Sequence, residues 1–278
     1  MIRTNYHTHT EFCDGKNMAE EMVLAALEKN ISILGFSSHA MYPLAGGWHI
    51  APDKYGEYVS EINRLKEKYS GRIKICTGFE VEYIDGISIP CFDTYKEFKP
   101  DYLIGSVHFV PGNGGYYEAD GGENSVRERI EKFFGGNIKK AVQEYFHCER
   151  KLLKEGDFTI LGHCDLVQKQ NINSRLFDED ESWYKKELKI LAKEIKKSGT
   201  CVEVNTGAIC RCGAKKPYPS PYLLEQLKNS NVPLTINSDA HTASGIDCWF
   251  DEAVQYIKKA GYKELAYFED GSLKFQKI

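Results

Sequence analysis

The chain of 278 residues contains no long hydrophobic run. Its longest early apolar stretch, 22–27, is too short to cross a bilayer and does not resemble a secretory leader, so a soluble cytoplasmic protein is expected. Glycine (24) and proline (9) are too sparse for a fibrous or low-complexity chain. An excess of one charge is also missing: 36 Lys+Arg against 40 Asp+Glu leave −4, with no broad basic footprint for nucleic acid. There is no basic groove interleaved with aromatics, no Pro/Gly/Ser linker and no internal repeat. Nine cysteines are present, but there is no Cys-x-x-Cys pair and no framework spacing. Most lie in apolar contexts, which predicts reduced thiols acting as small hydrophobes in a reducing compartment. Cys210-Arg-Cys212 is the one close pair. Without nearby His or Cys partners it makes a poor zinc site and is expected to be a plain loop.

What is present is an ordinary globular mixture, 42% hydrophobic and 27% charged, long enough for a sizeable core. Short β-branched runs at 2–6, 33–37, 73–79, 102–107, 158–161, 201–204 and 233–236 predict strands. Between them, helical patterns cover 17–28, 55–69, 126–155 with a break at Gly135-Gly136, 183–197, 221–228 and 251–260. In the second, Tyr55, Tyr58, Val59, Ile62, Leu65 and Tyr69 form one stripe. The segment 264–275 predicts a last strand or small hairpin, and the Gly-rich loop 111–124 a functional flap. The β-then-α rhythm argues for a parallel sheet, and one barrel-like α/β domain over 1–278 is preferred to two domains.

The predicted strands end on a pattern of histidines and acids. The first ends in His7-Thr-His9 with Asp14 just beyond, the second near His39, and the third near Glu80. The fourth ends near His108, the fifth near His163 and Asp165, the sixth near Glu203 and Asn205, and the seventh in Asp239-Ala-His241. In a closed parallel barrel these ends converge on one face, where active sites are built. Six of the eight histidines belong to the set. Any one of them alone reads better as a hydrogen-bonded structural residue, but their recurrence at successive strand ends does not read as chance. Imidazole with carboxylate suits zinc, iron or manganese, and at least nine ligand-type residues are enough for two or three ions, with Glu80 placed to bridge. His49 and His147 fall outside the pattern. Asp165 and Glu82 read either as acids that orient histidines or as ordinary acids.

These motifs resemble the polymerase-and-histidinol-phosphatase (PHP) superfamily. His7-Thr-His9 with Asp14, Gly-Phe-Ser-Ser-His39, Gly-Phe-Glu80-Val-Glu, Gly-Ser-Val-His108-Phe, Gly-His163-Cys-Asp-Leu-Val and Ser-Asp239-Ala-His241 carry the resemblance from residue 7 to 241. Gly105-Ser-Val-His-Phe, Val202-Glu-Val-Asn-Thr-Gly and Tyr218-Pro-Ser are similar to its monofunctional histidinol-phosphate phosphatase branch. The resemblance implies a distorted (β/α)7 TIM-like barrel and three divalent ions (Zn, Fe or Mn). It implies that the first ion takes His7, His9, Glu80 and Asp239. The second shares Glu80 and adds His108 and His163; the third takes Asp14, His39 and His241. The activity implied is hydrolysis of L-histidinol phosphate to L-histidinol and phosphate, a step of histidine biosynthesis.

On that reading a metal-bridging hydroxide attacks phosphorus, with Asp14, His241 and Glu80 as catalytic groups. Arg211, Lys215, Lys216 and Lys169 lie in loops on the same face as candidate phosphate ligands. Arg211 leads because guanidinium binds phosphate oxygens bidentately. Each Lys reads equally well as a solvated surface residue. Tyr116 or Tyr117 in the flap is placed either to stack on the substrate or simply to pack. The partner expected is a small phosphomonoester, with no nucleic acid and no membrane. The rivals are a related phosphoesterase acting on another small phosphomonoester or nucleotide, an amidohydrolase-type hydrolase, and a non-catalytic metal-binding barrel.

Overall fold

The computed structural model describes every residue except 170, 172–174 and 270. Its central sheet runs β1 (Thr4–Asn5), β2 (Ile33–Phe36), β4 (Lys74–Glu82), β5 (Tyr102–Ser106), β8 (Ile160–Leu161), β9 (Cys201–Asn205) and β10 (Leu234–Asn237), all parallel. A short β3 (His39–Ala40) pairs with the far end of β4. A parallel bridge between Thr8 and Ala240 brings the first strand back to the last, so the sheet is a nearly closed barrel. The expected (β/α)7 architecture is therefore observed.

Helices α1 (Ala19–Glu28), α2 (Tyr55–Lys68), α5 (Ser182–Ser198), α7 (Pro221–Asn229) and α8 (Phe250–Lys259) bury their apolar stripes in the outer layer. On α2 the stripe is Tyr55, Tyr58, Ile62 and Leu65, at helical spacing. The predicted 126–155 helix is two: α3 (Glu123–Phe134) and α4 (Ile138–Glu155). Gly135 and Gly136 separate them at φ 58° and 75°, which is left-handed backbone that glycine adopts without a Cβ clash. The predicted flap is a β-hairpin, β6 (Phe109–Gly112) with β7 (Gly115–Glu118). The chain ends in a second hairpin, β11 (Glu264–Glu269) with β12 (Ser272–Lys277), which covers the base of the barrel where Phe268 packs on Tyr6.

The barrel floor is filled by Tyr102. Its hydroxyl donates to the carbonyls of Tyr6 (2.5 Å) and Phe36 (3.0 Å). A Cβ on Gly35 or Gly78 would lie 2.3 or 2.4 Å from atoms of this ring, so both strands need glycine there. Side chains alternate along a strand, so Cys76, Gly78, Glu80 and Glu82 share one face of β4. Below, that face meets the Tyr102 plug; above, it carries two carboxylates to the C-terminal mouth.

Two expectations are corrected. The cysteines are not all free thiols: Cys210 and Cys248 form a disulfide, and the other seven are free. Cys210-Arg-Cys212 is not a plain loop either, because it forms the end of a short helix, α6 (Gly207–Cys212). The disulfide ties α6 to the loop after β10.

Candidate active site

Glu80 lies at the centre of the mouth, 1% exposed among imidazoles. Its Oε2 is 2.7 Å from His39 Nδ1, 3.1 Å from His7 Nε2 and 3.5 Å from His9 Nε2. Its Oε1 is 2.9 Å from His163 Nε2 and 3.7 Å from His108 Nε2. Asp239 Oδ1 lies 3.3 Å from His9 Nε2 and 3.8 Å from His7 Nε2. At the rim, Asp14 Oδ1 is 3.2 Å from His241 Nε2 and 3.6 Å from His39 Nε2. Nine side chains from six separate strand ends thus meet at one place.

The chemistry of these atoms fits divalent cations. His7 Nε2, His9 Nε2, Asp14 Oδ1 and Glu80 Oε2 are buried and make no aligned hydrogen bond among the described residues, although imidazole nitrogens and carboxylate oxygens approach one another to 2.7–3.3 Å there. Buried acceptors turned toward one another are costly unless something positive lies between them. Three overlapping groups have the spacing to hold an ion: His9, Asp14, His39 and His241; His7, His9 and Asp239; and His7, Glu80 and His163. His108 is outside these groups but faces Glu80. Burial and the neighbouring imidazoles of His241 and His39 hold His9 well below its usual range, so it keeps a free lone pair. Burial alone would raise the Glu80 carboxyl; His39 and His7 outweigh it and keep the group ionised.

Carboxylates behind the histidines fix how the rings point. Glu203 takes His7 Nδ1 at 2.9 Å and the His163 backbone N–H at 2.9 Å. Asn205 and Asn237 donate to its two oxygens at 2.7 and 2.8 Å. Glu82 takes His108 Nδ1 and the His108 backbone N–H, both at 2.7 Å. Each such bond leaves Nε2 aimed into the cluster. Glu82 is thus an orienting acid, whereas Asp165 accepts from the Ser220 backbone N–H and orients no histidine directly.

A cavity of about 410 Å³ opens over the cluster, lined among others by Asp14, His39, His108, Asp120, Lys169 and Arg211. Arg211 donates to Asp239 Oδ2 and to His241 Nδ1, both at 3.0 Å. Lys169 reaches the same cavity but is paired with Asp120 at 2.5 Å. Lys215 lies on a neighbouring cavity instead, and Lys216 is bound to Glu179. Tyr117 is buried against Phe134, with ring centroids 5.8 Å apart, and does not line the cavity. The hairpin register turns Tyr117 inward and leaves Tyr116 outside. The candidate stacking residue is therefore a packing residue. Sequence reasoning missed Trp48, whose indole lies 4.4 Å from the His39 ring and 3.9 Å from the His49 ring. It also missed Asp120; an acid in a Gly-rich flap was the available signal.

A model of the PHP domain family matches residues 5–207. The histidinol-phosphatase of Bacillus subtilis is 28% identical over 264 residues, spanning 88% of this chain and 96% of that protein. The histidinol-phosphatase of Lactococcus lactis is 27% identical over 277 residues, spanning 96% and 95%. A crystal structure from Listeria monocytogenes, described as a candidate histidinol phosphatase, superimposes with a TM-score of 0.80 at 23% identity, covering 90% of this chain and 99% of that one. The histidinol phosphate phosphatase of Lactococcus lactis, solved with Zn, L-histidinol and phosphate, gives a TM-score of 0.71 at 20% identity, covering 98% and 99%.

Proposed function

The chain belongs to the PHP domain family, and from that premise we propose that it is a metal-dependent phosphomonoesterase hydrolysing L-histidinol phosphate to L-histidinol and phosphate. The observation that carries the reading is the cluster of buried imidazole and carboxylate atoms beneath a cavity that also presents Arg211. Relatives named histidinol-phosphatase that span nearly their whole length support the substrate. A cavity of about 410 Å³ suits a small phosphomonoester rather than a polymer.

We assign three ions: His7, His9, Glu80 and Asp239 hold the first, Glu80, His108 and His163 the second, and Asp14, His39 and His241 the third. The donor set suits zinc, iron or manganese, and zinc is the ion in the Lactococcus lactis structure. When bound, such ions supply Lewis acidity toward phosphoryl oxygens and activate water near neutral pH. The protein's own groups do the rest. Arg211 binds phosphoryl oxygens and neutralises charge that grows in the transition state. Lys169 adds positive charge from the cavity wall, tempered by Asp120. Asp14 and His241, paired at 3.2 Å on the cavity rim, are the side chains placed beside the leaving oxygen. Glu203 and Glu82 keep His7 and His108 in their working orientation.

The whole chain 1–278 acts as one domain, because Asp239 and His241 lie beyond the family match and still complete the cluster. No helix among the described residues is long and apolar enough to cross a membrane. A cytoplasmic location is part of the same reading; seven of the nine cysteines are free thiols in keeping with it, and the Cys210–Cys248 disulfide is the exception. The test is phosphate release from L-histidinol phosphate against a panel of other phosphomonoesters. A preference of at least ten-fold in kcat/KM for L-histidinol phosphate is expected. Equal or better turnover of another phosphomonoester would overturn the substrate assignment and favour the broader phosphoesterase reading.

A further inference from the structure

A second cavity, of about 470 Å³, adjoins the one over the cluster, and Lys169 and Tyr218 line both. Its wall includes Gln168, Tyr184 and the Glu179–Lys216 pair. Gln168, Tyr184 and Tyr218 are 6%, 1% and 2% exposed. Yet both amide atoms of Gln168 and both phenolic oxygens have no hydrogen-bond partner among the described residues. A buried polar group left unpaired costs about 1–3 kcal/mol, so native folds rarely keep several together without something to pair them. Here four such atoms belong to residues lining one cavity beside the reacting centre. Tyr218 links the two spaces: its ring lies 6.1 Å from that of His163, and its other side faces the second cavity.

We infer that this second cavity is the specificity subsite of the phosphomonoesterase proposed above, taking the nitrogen-bearing organic part of the substrate while the phosphate lies under Arg211. This rests on that functional reading and names the groups that select the alcohol. The Gln168 amide offers one acceptor and two donor hydrogens, and each phenol can donate or accept. The Glu179 carboxylate is already bonded to Lys216 and to Asn171 at 3.1 Å, so the charges on this wall are matched and the uncharged polar atoms carry the recognition. An amino alcohol carrying an azole ring brings N–H donors and a ring acceptor to match these groups. A plain alkyl alcohol leaves them unpaired, which is the kind of mismatch that gives strong discrimination. Among the described residues neither side chain of Gln168 and Tyr184 bonds to a ligand-type residue, so their contribution falls on binding of the alcohol.

The experiment compares Gln168→Leu, Tyr184→Phe and Tyr218→Phe with the parent protein on L-histidinol phosphate and on propyl phosphate. Binding of L-histidinol itself is followed by calorimetry, and folding by circular dichroism. At least one folded variant is expected to lose ten-fold or more in kcat/KM for L-histidinol phosphate relative to propyl phosphate, mainly through KM. The same variant is expected to weaken L-histidinol binding in parallel. If folded variants change both substrates equally, or neither, the cavity holds only water and the inference falls. If the parent protein hydrolyses propyl phosphate but not L-histidinol phosphate, the functional reading itself falls. Tyr184→Phe and Tyr218→Phe each remove one oxygen and keep the ring, so they remain informative if Gln168→Leu fails to fold.

Discussion

At the scale of single residues, the account turns on where lone pairs point. His7→Ala or Asp239→Asn removes a group that faces Glu80 or His9, and phosphatase activity should fall at least a hundred-fold with circular dichroism unchanged. Near-parental turnover in a metal-quantified variant would count against the assignment. Glu203→Gln keeps the shape but weakens the hold on His7 Nδ1. Metal affinity, measured by chelator competition, should drop about ten- to a hundred-fold. Away from the cluster, Glu149 is wholly buried and accepts from the Tyr145 hydroxyl at 2.6 Å. Burial raises its carboxyl well above the usual 4.5. The folded protein therefore keeps Glu149 neutral where the unfolded chain ionises it, and stability declines as pH rises above about 4.5 toward the folded value. Glu149→Gln should flatten that decline, so that urea midpoints favour the variant more at pH 7 than at pH 4. A constant difference would contradict the assignment. Sequence pattern exposed the ligand-type residues because His-x-His and Asp-x-His stand out locally. It left the role of Glu203 unread, since its partner His7 is 196 positions away and only the folded barrel joins them.

At the scale of elements, strand alternation and glycine decide the geometry. β4 was expected to stop at 79 but runs to Glu82, because β3 and β5 give its far end partners. That extension puts Glu80 and Glu82 on one rigid ladder rather than in a loop. Gly78→Ala would press a methyl group against the Tyr102 ring and should destabilise the barrel by about 1–3 kcal/mol, read as a lower urea midpoint. The Gly-rich flap lines the cavity through Asp120, and its Asn113-Gly114 turn makes a hairpin whose register, unread from composition, buries Tyr117. The disulfide was equally hidden, since Cys248 is 38 positions from Cys210 and neither sits in a recognisable spacing. Reducing it should lower stability by about 2–4 kcal/mol, and Cys248→Ser should behave like the reduced protein. Intact-mass measurement showing nine free thiols in the untreated protein would contradict this linkage.

At the scale of the molecule, a −4 chain carries the site proposed to receive a phosphomonoester anion. The net charge conceals this, because Glu80 and Asp239 are buried against histidines and Arg211, and the half-exposed Asp14 turns one oxygen toward His241 and His39. Barrel closure through Thr8 and Ala240 brings the first and last strands together, so His9 and His241 stack 4.0 Å apart although they are far apart in sequence. The β-α rhythm made that closure legible in advance. The adjoining cavity was not legible, because its unpaired amide and phenols come from separate segments. The central claim is that divalent ions at this mouth drive hydrolysis of L-histidinol phosphate. Its most direct test is phosphate release by chelator-stripped protein as zinc, iron or manganese is added back in known equivalents. The account predicts no release without metal and activity that rises to saturation near three equivalents. Undiminished release from the stripped protein, or none with any of the three metals, would contradict it.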